Sequence, residues 1–182
     1  MFKSFKSRFM SRLRDSLIKN CSEECYFAKI CQKYADEIHL SLDDVFLPKI
    51  ATENSAGADF FTPVEIHLEP GEEMKIATGI KAHMAKWTRL SIVPKSGLGF
   101  KYFIRIANTI GTIDGDYWEN PDNDGCIFVK IRNEGNIPMH IKKGESFCQG
   151  IFEFYIPDRD YFKASKKTRG GGLGSTDAKA EK

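Results

Sequence analysis

Two hydrophobic periods divide the chain. In residues 1–19 the apolar positions recur at steps of three and four residues: Phe2, Phe5, Phe9, Leu13 and Leu17. This spacing predicts an amphipathic helix. A second helix is predicted to begin at Asn20, where Glu23 completes a capping-box pattern, and to continue through Ile38. Residues 1–37 are therefore predicted to form a helical N-terminal extension.

From Ile38 onward the hydrophobic period changes to two. The alternating segments include IHLSL, VEIHL, MKIATGI and RLSIV, and turn residues such as Ser96-Gly97 separate them. Short strands at a spacing of roughly ten residues, with no strong helical stretch between them, predict an all-β sandwich or barrel over residues 38–158. Beyond this domain the pattern decays into a Lys-rich linker and a glycine-rich tail, so residues 159–182 are predicted to be a flexible C-terminal segment.

Composition indicates an ordinary water-soluble protein. The chain is 41% hydrophobic and 29% charged, and its net charge of +2 does not demand a nucleic-acid partner. It contains no apolar run of the length that spans a bilayer, and its start lacks the apolar core of a secretory signal peptide. The five cysteines are an odd number and are not densely spaced, which indicates free thiols in a reducing compartment, cytoplasmic or other.

The first predicted helix is strongly basic. It contains one acidic residue, Asp15, and six basic residues: Lys3, Lys6, Arg8, Arg12, Arg14 and Lys19. Such a helix could bind an anionic membrane surface, nucleic acid or another protein, or act as an organelle-targeting peptide. The alternative is a structural role, in which the helices pack on the body of the protein or on a neighbouring subunit.

Several common kinds of site are excluded by spacing. The four histidines are scattered and form no ligand cluster. The segment NPDNDG (120–125) has oxygen-bearing residues at calcium-loop spacing, but the bidentate Glu of the twelfth position is missing, so a solvated turn is predicted. The glycine-rich tail lacks the Lys of a phosphate-binding P-loop, and neither G-x-S-x-G nor H-E-x-x-H occurs.

Five polar segments remain, and most of them follow apolar strands. In chain order they are AGADF (56–60), PKSGL (94–98), GTIDGDY (111–117), GESFCQ (144–149) and RGGGLGST (169–176). In sequence and order they resemble the five motifs of the trimeric dUTPase family. The resemblance extends from about residue 38 to residue 177 and leaves only the helical extension unaccounted for.

The resemblance implies a fold and an activity. The fold would be a jelly-roll-like β fold assembled as a homotrimer with active sites shared between chains. The activity would be dUTP diphosphatase, which hydrolyses dUTP to dUMP and pyrophosphate by Mg²⁺-assisted attack of water on the α-phosphate. This reaction limits the incorporation of uracil into DNA and supplies dUMP.

The third motif would hold the reacting centre. By resemblance, Asp114 would hold and activate the attacking water, and the ring of Tyr117 would lie against the deoxyribose and exclude a 2′-hydroxyl. Asn108 and the backbone near Thr112 and Ile113 would read the edge of uracil.

The other motifs would hold the phosphates and the metal ion. Residues of the second and fourth motifs would line the phosphate path: Lys95, Ser96, Gly97 and Gln149. Asp59 would meet Mg²⁺ through the waters of the ion, which is usually kept largely hydrated. Four residues of the fifth motif would close over the nucleotide: Arg169, Leu173, Gly174 and Ser175.

Three positions depart from the family pattern. Lys95 stands in place of the usual Arg, which exchanges a planar fork for a point charge. Leu173 stands in place of Phe, so the cover over the base is aliphatic. Arg169 lies one residue closer to the end of its motif than is usual in the family.

Two alternatives to dUTP hydrolysis use the same fold. One is a regulatory or binding protein, motivated by the basic helix. The other is a dCTP deaminase, which requires a Glu in a strand corresponding to CIFVKI (126–131), where this chain has no acid.

Overall fold

The computed structural model describes the backbone of residues 2–158 and the side chains from residue 11 onward. The predicted tail, including the fifth motif, lies outside this range. The helices are α1 (Phe2–Glu24), α2 (Gln32–Glu37) and α3 (Ser96–Tyr102). The strands are β1 (Tyr26–Lys29), β2 (Lys49–Ile50), β3 (Ala58–Phe61), β4 (Ile66–Leu68), β5 (Glu73–Ala77), β6 (Ile80–His83), β7 (Thr88–Pro94), β8 (Ile104–Ile106), β9 (Gly111–Ile113), β10 (Phe128–Asn133), β11 (Met139–Ile141) and β12 (Ser146–Phe154).

The strands form small antiparallel sheets, which confirms the predicted all-β class. The largest sheet has the order β2-β3-β12-β7-β9, and a second has the order β5-β10-β8. Two further pairs are β4 with β11 and β1 with β6. Strand β12 lies at the centre of the largest sheet and pairs with β3 on one side and β7 on the other.

The main apolar core lies beneath these sheets, and its largest fully buried side chains are Phe60 and Phe147. A smaller cluster contains Ile30, Ala35 and Cys126. Strand β10 shows the period of two directly, because Val129 and Ile131 are buried while Lys130 between them is exposed. Burying each such aliphatic side chain contributes about 1.5–3 kcal/mol to the free energy of folding. This burial selects the face that each strand turns inward and thereby sets its register.

The second predicted helix, from Asn20 to Ile38, is wrong. Helix α1 continues to Glu24, strand β1 pairs antiparallel with β6, and only the short α2 follows. The reason is tertiary packing, since the ring of Phe27 lies 5.2 Å from that of Phe60 and 5.0 Å from that of Phe152. Core contacts of this kind override local helix propensity.

Other local predictions also fail. The alternating segment IHLSL (38–42) is not a strand. Ile38 caps the end of α2, and Leu42 begins the 3-10 turn Leu42–Asp44 and packs on the core. Ser96-Gly97 is the first turn of α3 rather than a loop. The segment NPDNDG is not a solvated turn, because Asn120 and Asn123 are only 2% and 8% exposed.

Two expectations concern the whole chain. All five cysteines are free thiols, as their number and spacing predict. Among the described residues, no helix combines the length and the apolar character required to cross a lipid bilayer.

Candidate functional site

The central sheet brings the first, second and fourth motifs together. In the register of β3, β12 and β7, Gln149 lies between Asp59 on one side and Val93 on the other. Lys95 follows directly after the end of β7, beside the same part of β12. Three of the five segments, separated by many residues in the chain, therefore meet at one end of this sheet.

Their side chains form a hydrogen-bonded cluster around one carboxylate. Lys95 Nζ donates to Asp59 Oδ2 at 3.1 Å and also to the hydroxyl of Ser146. Gln149 Nε2 donates to Asp59 Oδ1 at 2.8 Å. The Asp59 side chain is 14% exposed, whereas that of Lys95 is 35% exposed. The cluster therefore holds the ammonium group of Lys95 in place while leaving part of it open to solvent.

The Lys at position 95 retains an ion pair despite the departure from the family pattern. An ammonium group has three donors, and two of them are used by Asp59 and Ser146. What the substitution removes is the fork geometry of Arg, and the positive charge is retained.

Ser96 and Gly97 are exposed beside this cluster, at the start of α3. A Cβ atom added to Gly97 would meet no atom within 4 Å, so the fold of the described residues does not itself require glycine here. The bare backbone is open to close approach by another molecule. The hydroxyl of Ser96 and the N–H of Gly97 are groups that can donate to an anion.

The third motif lies on β9, at the edge of the same sheet. Ile113 pairs with Leu90 and Gly111 pairs with Ile92 of β7. Asn108 and Thr112 are exposed, and Ile113 is partly buried against the core. Thr112 and Ile113 thus lie on the edge strand β9, and Asn108 lies in the turn that precedes it.

Asp114 follows β9 at the beginning of a 3-10 turn, Gly115–Tyr117. Its side chain is exposed and lines an open cleft of about 510 Å³, together with Trp87, Thr88 and Tyr155. The backbone N–H of Tyr117 donates to the carbonyl oxygen of Asp114 at 3.1 Å, which ties the two predicted residues into one turn. The Asp114 carboxylate therefore forms part of the wall of this cleft.

Tyr117 is almost fully buried, with 5% of its surface exposed. Its hydroxyl donates to the carbonyl oxygen of Cys126 at 3.2 Å and accepts from the side-chain amide of Asn123 at 2.7 Å. The ring is therefore held by the loop that follows it.

Within one chain, Asp114 does not meet the cluster around Lys95. Because Ile113 pairs with Leu90 in antiparallel register, Asp114 lies near the beginning of β7. Lys95 lies just past the other end of that strand. Roughly six residues of strand separate the two positions, which is about 20 Å at about 3.3 Å per residue. The structure thus places the predicted site residues in two groups.

Some residues at the site were not anticipated from the sequence. Ser146 lies within the fourth motif, and only the fold shows that it contacts Lys95. Asn123 and the carbonyl of Cys126 hold Tyr117. The only sequence signal for Asn123 was the polarity of NPDNDG, which is equally typical of an exposed turn.

The described residues are better suited to bind a hydrated magnesium ion through its waters than to coordinate a bare ion directly. Among residues 2–158, no three His, Cys, Asp or Glu side chains converge to hold a metal ion. Both oxygens of Asp59 already accept a hydrogen bond, from Lys95 and from Gln149. A carboxylate offers about four acceptor positions, so lone pairs remain for the waters of an ion that arrives with a phosphate ligand.

Known proteins provide an independent comparison. The family model of the dUTPases matches residues 43–177. A deoxyuridine 5'-triphosphate nucleotidohydrolase of Lactococcus lactis subsp. lactis is 39% identical over 133 residues, which cover 72% of this chain and 88% of that protein. The corresponding protein of Clostridium tetani is 32% identical over 147 residues, covering 79% and 97% of the two chains.

Solved structures agree with this assignment. The dUTPase of Streptococcus mutans superposes with a TM-score of 0.61 at 29% identity, covering 73% of this chain and 98% of that one. A point mutant of the dUTPase from the Staphylococcus aureus phage phi11, described as coordinating a structural Mg(II) ion, shares the fold with a TM-score of 0.56 at 16% identity, covering 74% of this chain and 93% of that one. The predicted jelly-roll-like β fold is confirmed by these neighbours. From the ordered motifs, the strand topology and these matches, we conclude that the chain belongs to the dUTPase family.

Proposed function

We propose that this protein hydrolyses dUTP to dUMP and pyrophosphate through attack of water on the α-phosphate. The observation that carries the proposal is the arrangement of two groups: an exposed carboxylate, Asp114, beside the anchored ring of Tyr117, and an ordered ammonium, Lys95, beside the open Ser96 and Gly97. The first group suits a base and a sugar contact, and the second suits the phosphates. Family membership supports the same reaction.

The two groups would be completed by different chains. A general base must come within about 3 Å of the proton that it takes, directly or through one water. The separation of roughly 20 Å between Asp114 and Lys95 along β7 is too long for both to serve one nucleotide from one chain. A homotrimer with shared sites, which the family resemblance implies, would bring the Lys95 end of one chain to the Asp114 end of its neighbour.

In such a site, Asp114 would accept a proton from water as the water oxygen forms its bond to the α-phosphorus. The bond from that phosphorus to the bridging oxygen breaks, and pyrophosphate leaves with the electron pair. The ammonium of Lys95, the hydroxyl of Ser96 and the N–H of Gly97 would stabilise the negative charge on the phosphate oxygens. Such donors are effective because they are fixed before the substrate arrives.

Selectivity would arise along the third motif. Asn108 and the backbone of Thr112 and Ile113 would bind the edge of uracil, and an unmatched donor on cytosine would then be costly. The ring of Tyr117 would exclude a 2′-hydroxyl.

The fifth motif would close the site over the bound nucleotide. This is proposed for Arg169, Leu173, Gly174 and Ser175, which lie outside the described residues. The prediction therefore depends on their sequence alone.

Magnesium is the proposed cofactor, with Asp59 as its indirect ligand through water. When bound, the ion would neutralise charge on the triphosphate. The hydrogen bonds from Lys95 and Gln149 fix the orientation of the Asp59 carboxylate. The five free thiols support a reducing compartment, cytoplasmic or other, as the proposed location.

A substrate panel tests the reaction. With Mg²⁺, the full-length protein should release pyrophosphate from dUTP much faster than from dCTP, dTTP or UTP. The variant Asp114→Asn should lower kcat by about 10²–10⁴-fold, the range typical of a lost general base. Asp43→Asn, which removes an exposed carboxylate from the 3-10 turn Leu42–Asp44, is the control and should stay close to the wild-type rate. Near-normal turnover by Asp114→Asn would exclude it as the base, and ammonia release from dCTP would indicate the deaminase instead.

A further inference from the structure

The loop that follows Tyr117, WENPDNDG (Trp118–Gly125), is folded against the protein. Asn120 and Asn123 are buried, and the side chain of Asp124 is 16% exposed. A loop this polar is buried only when its groups find partners inside the protein. Its partners show what the loop does.

Asn123 links this loop to the hydroxyl of Tyr117. The Oδ1 atom of Asn123 accepts a hydrogen bond from the N–H of Gly125 at 3.0 Å, which leaves the amide nitrogen to donate to Tyr117 at 2.7 Å. The Tyr117 hydroxyl itself donates a hydrogen bond to the carbonyl oxygen of Cys126. The hydroxyl is thus used both as a donor and as an acceptor, and the far end of the ring is fixed.

The loop is in turn anchored to the body of the protein by Asp124. Lys81 Nζ donates to both carboxylate oxygens of Asp124 at 3.0 Å, and the backbone N–H of Cys31 donates to the same carboxylate. Lys81 is only 8% exposed and also lies 4.8 Å from the centre of the Trp118 ring. A buried ammonium paired in this way holds the loop at both of its ends.

Backbone packing leaves the loop little freedom. Gly125 has a positive φ of 75°, and a Cβ atom there would come within 2.6 Å of the carbonyl oxygen of Tyr117. Only glycine permits this close approach.

Residues that precede the family-matched region also help to hold the loop in place. The rings of Tyr26 and His83 stack at 5.0 Å, and each meets the Trp118 ring edge-on, at 5.6 and 5.4 Å respectively. His83 Nδ1 lies 2.7 Å from the carbonyl oxygen of Glu24. Strand β1 and its flanking residues therefore pack against the loop.

We propose that Asn123 is a positioning residue that determines the preference for deoxyribose over ribose, because it holds the Tyr117 ring in the place where the 2′-hydroxyl of a ribonucleotide would lie. This inference rests on the proposed function. A steric gate discriminates only while it stays in place, and a ring released at its hydroxyl end could turn aside and admit UTP. Asn123 touches neither substrate nor reacting atoms, and acts through Tyr117.

The test compares kcat/KM for dUTP and UTP in full-length variants. Asn123→Ala should lower the ratio of dUTP to UTP by about tenfold, since a hydrogen bond of this kind is lost. Most of the change should be a gain in kcat/KM for UTP. Tyr117→Phe keeps the ring but loses the hydroxyl and with it both the Asn123 contact and the bond to the Cys126 carbonyl, so it should lower the ratio at least as much. Adding Asn123→Ala to Tyr117→Phe should then change little, because the contact between the two residues is already lost.

Asn133→Ala is a matched control. Asn133 is also buried, accepts from the N–H of a glycine two residues on, and donates from its amide to carbonyl oxygens, those of Leu68 and Ile137. Its loss should lower Tm as the loss of Asn123 does, but it should leave the dUTP to UTP ratio unchanged.

An unchanged ratio in folded Asn123→Ala would overturn the inference, as would an equal fall in Asn133→Ala. If Asn123→Ala does not fold, an unchanged ratio in Tyr117→Phe would overturn it instead. Failure of the proposed function is recognised separately, since the wild-type protein would then fail to turn over dUTP.

Discussion

Two inactive variants of this protein should restore each other's activity when they assemble into one trimer. Asp114→Asn removes the proposed base, and Lys95→Ala removes the ammonium group that Asp59 orders. In one chain these positions lie near opposite ends of β7, roughly 20 Å apart. The proposed mechanism needs both groups at one nucleotide, so each site would draw them from two chains.

The size of the recovery follows from the symmetry. A site in a cyclic trimer is complete when the chain that supplies Lys95 carries only the Asp114 change and its neighbour carries only the Lys95 change. With equal amounts of the two chains and random assembly, about a quarter of the sites are complete. The mixture should therefore release pyrophosphate at about a quarter of the wild-type rate. Each variant alone should be slower by about 10²-fold or more.

The assay uses two affinity tags. The two variants, each with its own tag, are refolded together. Pull-down through each tag in turn shows that mixed trimers have formed. Turnover of dUTP is then measured on the whole mixture. A second mixture, of wild type with the double variant, serves as the control. Sites shared between chains give about a quarter of the wild-type rate in both mixtures, whereas sites within one chain give none in the first and about half in the second. No recovery in a mixture that contains trimers with both tags would refute the reasoning.

Three further predictions concern stability and reactivity. Lys95→Met should lower the free energy of unfolding by about 1–2 kcal/mol, because the Asp59 carboxylate loses its charged partner and keeps only the hydrogen bond from Gln149. Lys95→Arg should lower it less, and urea unfolding measures both. Burial raises the pKa of the Cys126 thiol to about 11, so alkylation at pH 8 should modify the exposed Cys31 rapidly and Cys126 only after unfolding, and rapid labelling of Cys126 in the native protein would contradict its burial. Burial raises the pKa of Asp124, but the hydrogen bond from the backbone N–H of Cys31 and the ammonium of Lys81 lower it by more. The net pKa is therefore below the ordinary value for Asp. The stability that this carboxylate contributes is therefore fully present above pH about 4 and is lost as the pH falls through the lower folded value, so Tm should fall less steeply in acid for Asp124→Asn than for the wild type.

Much of the β domain could be predicted from the sequence because its causes are local. An alternation such as RLSIV is typical of a strand, and β7 forms where this pattern predicts it, although Ser91 is buried as well as Leu90 and Ile92. The five motifs could be recognised because each is a short run of residues whose chemistry survives without knowledge of its neighbours. Their sequence and order together indicated the resemblance to the family.

The failures occurred where distant contacts outweigh local preference. The four residues of β1 carry no period that distinguishes a strand from a helix, and they form a strand because Phe27 packs on Phe60 and Phe152. The polarity of NPDNDG indicates an exposed turn in isolation. It is buried because Asp124 meets the N–H of Cys31, 93 residues away in the chain.

The sequence by itself indicated the residues for which we propose a chemical role: a carboxylate and a tyrosine in one motif, and an ammonium, a hydroxyl and a bare glycine in another. Only the tertiary structure decided the distances between them. Pairing of β3, β12 and β7 brings Asp59, Gln149 and Lys95 into contact, while the antiparallel run of β9 carries Asp114 to the other end of the sheet. Strand order and register depend on how all the apolar faces are buried together, and no short segment contains that information.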